Sequence, residues 1–203
     1  MEAERRRRPG PVLVDDKGRL FLQSRRAELL RTARIDEVEI EFRAQIAAVR
    51  RTGISPTHLD FHSLADGGRA DVFNVAAGLA AEHGCALRVW LEPNRTCARA
   101  AGLPVVDHPF LDSFTLAPTA RAEHYERLLR DLPAGLTEWA VHPASDDDVA
   151  EGDEHDRRVR GGDHSWLTSS RARTVIAEER IDLVGYDAVQ AVWQDRHRAL
   201  PRS

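Results

Sequence analysis

Two helical patterns that each stop at a glycine and run straight into a short apolar stretch constrain this chain more than any other feature. Val38, Phe42, Ile46 and Val49 recur at helical spacing after Asp36, and Gly53 ends the run, which predicts an amphipathic helix over 36–52. Val72, Val75, Ala76, Leu79 and Ala80 repeat the pattern as far as Gly84, where a glycine can take left-handed backbone and close the helix. A strand through "ISPTHLDFH" follows the first helix, and a buried strand at "ALRVWL", Ala86 to Leu91, follows the second.

The alternation continues. "LPVVD" (103–107) and "TEWAVH" (137–142) read as strands on either side of a helix from about Thr119 to Leu132, and "TSSRARTVIAEERI" reads as a further helix. "DLVGY" should be a last strand and "DAVQAVWQ" a closing helix. Strands that alternate with helices imply a mainly parallel sheet, because each crossover returns the chain in the same direction. The fold class expected is α/β, with residues 1–19 a flexible tail and 20–203 one domain. Pro143 to Ser165 has no clear pattern and is expected to be an irregular lid or linker.

With 42% hydrophobic and 31% charged residues, the chain can bury a core. No apolar run approaches the roughly 20 residues of a spanning helix, and the arginines of "MEAERRRRPGP" lead into Pro-Gly, unlike a signal peptide. A cytoplasmic protein is expected. The net charge of −4 argues against nucleic-acid binding, with only Arg5 to Arg8 locally basic. Cys85 and Cys97 match no redox or zinc spacing, and each is read as a reduced, buried thiol.

In α/β sheets, ligands gather at the carboxyl ends of strands, which directs attention to His58, Asp60 and His62, then Asp107 and His108, then His142. If residues 58–62 are extended, the two histidines stand about 13 Å apart, too far to share a cation easily. A strand that curls at its end would let Asp60 and His62 approach one metal, or leave His62 as a ligand that Asp60 orients. A helix would instead put His58 and His62 on one face, although Pro56 favours extended chain. Three solvated polar groups remain the plain alternative. His142, followed by Pro143, could act as a general acid or as a hydrogen-bonded structural histidine. Arg157, Arg158 and Arg160 could reach the strand ends to hold sugar hydroxyls or an anion, or could neutralise the preceding acidic run.

"PTHLDFHS" resembles the Pro-Thr-His-Leu-Asp-Ser-His signature of the YdjC-like carbohydrate deacetylases, and the likeness extends through "GCALRVW", "EWAVHPASDD" and "RGGDHSWLTSSRARTVIAEERIDLVGY". Upstream, "GPVLVDDKGRLF" is similar to the segment before the signature. The resemblance implies a barrel-like (β/α) fold, a divalent metal such as Mg2+ or Zn2+, and hydrolysis of N-acetyl groups from amino sugars or oligosaccharides. It places His62 at a metal-ligand position and His142 in the acid–base chemistry, with Asp60 supporting the catalytic site; beside these, position alone makes His58 a second candidate metal ligand and Asp107 and Arg160 candidate substrate contacts. Phe61 stands where the family has serine, and Ser63 and Leu64 where many members have histidines.

The resemblance also implies an N-terminal strand ending in an Asp-Asp-Phe-Gly type motif and a later Gly-Val-His-Leu type strand that supply the remaining metal ligands; neither occurs in this chain, which is expected to lack the family's N-terminal strands. The expected fold is therefore an incomplete TIM-barrel-like barrel, the metal weakly held, and the deacetylase impaired, since a working site wants about three protein ligands. The alternative is a non-catalytic carbohydrate-binding or interaction remnant of the family. The partners expected are an amino sugar or oligosaccharide and, at most, a second copy of the chain, with no nucleic acid and no membrane.

Overall fold

The structure is a computed structural model that describes residue 13 and residues 23–62, 67–116, 119–145 and 154–199. Apart from residue 13 the expected N-terminal tail, with Arg5 to Arg8, lies outside the described residues, as do Ser63, Leu64 and most of the acidic run after Ser145. The chain divides into two compact units, Met1–Pro104 with Gly185–Ser203, and Val105–Val184. It is helix-rich with short parallel strands, and among the described residues no helix is long and apolar enough to cross a membrane.

The first unit carries α1 (Arg26–Thr32), α2 (Ile35–Arg51), β1 (His58–Leu59), α3 (Ala70–His83), β2 (Ala86–Leu87), α4 (Asn94–Ala100) and α8 (Tyr186–Ala199). The sequence places α2 within a residue of its observed ends. Gly84 caps α3 in the left-handed conformation, φ 66°. Val72, Ala76, Leu79 and Ala80 of α3 are buried with Leu87 and Val89 beneath them, so the predicted face is the core face. β1 and β2 pair in parallel, His58 with Ala86 and Leu59 with Leu87. The Gly84 carbonyl accepts from both Gln190 and Gln194 Nε2 at 2.7 Å, and the indole of the buried Trp193 donates to Pro104 O at 2.8 Å. These bonds seat α8 on the unit. Cys85 is buried, as expected, whereas Cys97 lies on an exposed face of α4.

The second unit carries β3 (Leu111–Asp112), α5 (Arg121–Arg130), β4 (Trp139–Ala140), α6 (Glu154–Leu167) and α7 (Ser170–Glu178). β3 and β4 are parallel, Leu111 opposite Trp139. Parallel pairing and strand–helix alternation are thus both present, but the strands pair two by two and the described residues form no closed barrel. Three expectations fail in detail. Val105 and Val106 are buried but lie outside any ladder, and just after them Asp107 N donates to Leu136 O at 2.8 Å. "DLVGY" forms no strand, and Leu183 and Val184 are 77% and 57% exposed, so they meet no core. The stretch read as irregular ends in α6, because Val159, Asp163 and Trp166 fall four and three residues apart and all face inward.

The core of this unit, Tyr125, Leu129, Trp166, Ala172 and Val175, encloses one polar hub. The Asp163 carboxylate is wholly buried and accepts from Ser113 Oγ at 2.7 Å, Arg121 Nη2 at 2.9 Å, the His142 amide at 2.8 Å and the Tyr125 hydroxyl. Burial by itself would push the Asp163 carboxyl up. The bonds from Tyr125, the His142 amide, Ser113 and Arg121 outweigh it and hold the group below the ordinary value. Gly162, an otherwise poor residue within a helix, leaves room for the arginine: a Cβ there would stand 2.8 Å from Arg121 Cδ.

Asp163→Ala strands a buried guanidinium, and urea unfolding should show a loss of about 3–5 kcal/mol. Because the folded Asp163 pKa is lowered, its contribution is full above the unfolded value of about 3.9 and is lost as pH falls through the folded one. Stability of the parent chain should therefore fall more steeply in acid than that of Asp163→Asn; equal acid limbs would contradict the hub. Gly162→Ala gains up to about 1 kcal/mol of helix propensity, yet the Arg121 clash should lower its Tm. A raised Tm would show that the space is not needed.

Candidate functional site

Each unit presents candidate site residues at the carboxyl end of a strand. In the first, β1 carries His58 and is followed directly by Asp60, Phe61 and His62. His58 shares its Nδ1 with Thr57 Oγ1 at 3.0 Å and stacks on Tyr186, ring centres 4.0 Å apart and 19° from parallel. Asp60 Oδ1 accepts from Arg88 Nη1 at 2.9 Å. His62 lies in an exposed turn. A cavity of about 390 Å³ has His58, Asp60 and His62 on its polar side, with Phe42, Ile46 and Val49 of α2 among its apolar walls. That volume and mixed lining suit a small organic ligand.

In the second unit, His142 follows β4. Its amide is fixed by Asp163, its Nε2 stands 3.8 Å from Asp112 Oδ1, and its ring meets the edge of Phe114, centres 4.6 Å apart. Arg160 of α6 lies over the other partner of this cluster, its guanidinium carbon 5.6 Å from the Phe114 ring centre. Arg160 O also accepts from Ala144 N at 3.3 Å, just past His142. The structure thus gathers His142 and Arg160 around Phe114, with Asp112 beside the imidazole. Asp107 is placed differently: its Oδ2 accepts from Leu136 N at 2.7 Å, and His108 Nε2 meets Ala134 O at 3.0 Å. Both residues close the loop before β4.

Arg88, Trp90, Tyr186, Asp112, Phe114 and Asp163 did not stand out as site residues in the sequence. Arg88 and Trp90 had a signal, two large polar-tipped residues at alternate positions of an otherwise buried strand. Asp163 had one too, in the helical spacing of Val159 and Trp166 around it. Asp112 and Phe114 had none.

A divalent cation does not fit these residues as they stand. Among the described residues no three His, Cys, Asp or Glu side chains come together to hold a metal ion, and Asp60 faces a guanidinium rather than a neighbouring carboxylate or imidazole.

The crystal structure of a "putative cellobiose-phosphate cleavage protein" from Enterococcus faecalis V583 superimposes with a TM-score of 0.65 at 23% sequence identity, covering 88% of this chain and 69% of that one. At that identity the likeness speaks for the fold. No curated protein matches the chain. The YdjC-like protein family matches residues 2–178, a span that takes in the β1 signature, the β4 histidine and all of α6 and α7. The chain therefore belongs to the YdjC-like family.

Proposed function

We propose that this chain is a hydrolase of the carbohydrate-deacetylase type, directed to N-acetylated amino sugars or their oligosaccharides and impaired in turnover. The observation that carries the reading is His142: a histidine at the carboxyl end of a parallel strand, anchored by its amide on a buried carboxylate, with a second carboxylate 3.8 Å from its imidazole. Deacetylation adds water to the amide carbonyl carbon and breaks the C–N bond, so acetate leaves and the departing amine needs a proton. An imidazole exchanges protons near neutrality. The Asp112 carboxylate stands on one side of the ring, 3.8 Å from Nε2, while the Asp163 anchor holds the main chain still. Arg160, half-buried beside Phe114, offers donors for substrate hydroxyls.

Polarising the carbonyl is the part that a divalent cation supplies in metal-dependent hydrolases. The donors gathered among the described residues fall short of that centre, which is the reason turnover should be impaired. His62 and His58 remain the residues from which weak Mg2+ or Zn2+ binding would come.

Titration calorimetry should find weak Mg2+ or Zn2+ binding, weakened further in His62→Ala; tight stoichiometric binding untouched by the substitution would remove His62 from the reading. Acetate release from N,N′-diacetylchitobiose with added Zn2+ or Mg2+ should be slow and should vanish in His142→Ala, with the unfolding midpoint unchanged. Equal rates in the two proteins would exclude His142. Sugar binding with no acetate release would move the reading to the non-catalytic carbohydrate-binding alternative.

A further inference from the structure

The short parallel pairing of β1 with β2 has a consequence beyond its two ladder residues. Arg88 N donates to Leu59 O at 2.9 Å, which carries the register one step further and sets Arg88 beside Asp60. Side chains alternate along extended chain. Leu87 and Val89 accordingly turn into the core, while Arg88 and Trp90 emerge together on the opposite face. Arg88 Nη1 bonds Asp60 Oδ1 at 2.9 Å, and its guanidinium carbon lies 5.7 Å from the Trp90 ring centre. The pair is sheltered but open to contact, 14% exposed at Arg88 and 29% at Asp60, and Asp60 also borders the cavity that His58 and His62 line.

We infer that Asp60, Arg88 and Trp90 form a pyranose-binding subsite, in which a sugar ring rests on the Trp90 indole and its hydroxyls bridge the Asp60–Arg88 pair. A pyranose has two kinds of surface: flat faces of C–H groups, and a rim of hydroxyls that each donate and accept. An aromatic plane meets the first. A guanidinium fork beside a carboxylate meets the second, because one hydroxyl can accept from Arg88 and donate to Asp60 without either ion losing its partner. The ion pair also separates this role from metal binding, since a cation approaching Asp60 would face the Arg88 charge at hydrogen-bond distance. Asp60 is thereby a recognition residue rather than a metal ligand.

The inference rests on the reading that amino sugars are the ligands of this protein, and its test separates the two. Calorimetry on the full chain with N,N′-diacetylchitobiose should show saturable binding. Trp90→Ala should weaken it about tenfold or more, and Trp90→Phe should keep affinity within about threefold while abolishing the sugar-induced change in tryptophan emission. Asp60→Asn should weaken binding several-fold, because the amide donates where the carboxylate accepted. If the disaccharide binds and Trp90→Ala binds it equally well, the subsite is wrong while the amino-sugar reading stands. If the parent chain binds neither this disaccharide nor cellobiose, the subsite and the amino-sugar reading both fall. Should Trp90→Ala fail to fold, the Trp90→Phe emission change decides: persistence of the signal without Trp90 overturns the assignment.

Discussion

One buried charge governs the second unit. A carboxylate removed from water is costly unless donors replace its hydration, and Asp163 is supplied by four: the Ser113 hydroxyl, the Arg121 guanidinium, the Tyr125 hydroxyl and the His142 amide. These come from the turn after β3, from α5 and from the end of β4, while the carboxylate itself sits on α6. None of the four elements can shift without leaving a buried polar group unpaired. Burial and the facing Asp163 carboxylate also push the Tyr125 phenol up, which keeps it a neutral donor throughout the physiological range. The position of His142 is thus a product of core electrostatics, and the chemistry proposed for its imidazole depends on that fixed main chain.

The first unit reaches a comparable result through register. Two ladder pairs between β1 and β2 decide which side chains share a face, and the alternation beyond them places Asp60, Arg88 and Trp90 together. Support comes from below, where α3 buries its apolar face against Leu87, and from α8, whose two glutamines converge on the Gly84 carbonyl. Glycine at that position serves both the helix cap and the approach of α8, because a Cβ there would come within 3.2 Å of Gln194 Nε2.

What the sequence made legible follows from the range of the forces involved. α2 and α3 could be read because their apolar spacing and closing glycines are local signals, and the parallel direction of the strands followed from the alternation. "DLVGY" misled, since an apolar composition without a neighbouring strand to pair with leaves Leu183 and Val184 in water. α6 was hidden by its glycines and charges: its helical period lies in only three inward residues, one of them an aspartate, which a hydrophobic reading passes over. His58, Asp60, His62, His142 and Arg160 were visible as residue types near strand ends. The partners that define them, Tyr186 for His58, Arg88 for Asp60, and Asp112, Phe114 and Asp163 for His142, are contacts between distant positions; alternation and helical spacing can mark Arg88 and Asp163 as residues, but no local pattern announces the pairings.

The most direct measurement follows the four tryptophan indole N–H signals by heteronuclear NMR while N,N′-diacetylchitobiose is added to the labelled chain. Trp193 is tied to Pro104 O, and Trp166 is buried in the core of the second unit with Trp139 packed against it. An amino sugar held at the end of β2 should therefore move the Trp90 signal alone, in a saturable manner. Saturable binding that leaves Trp90 unmoved, or a titration that moves no indole signal at all, would contradict the account.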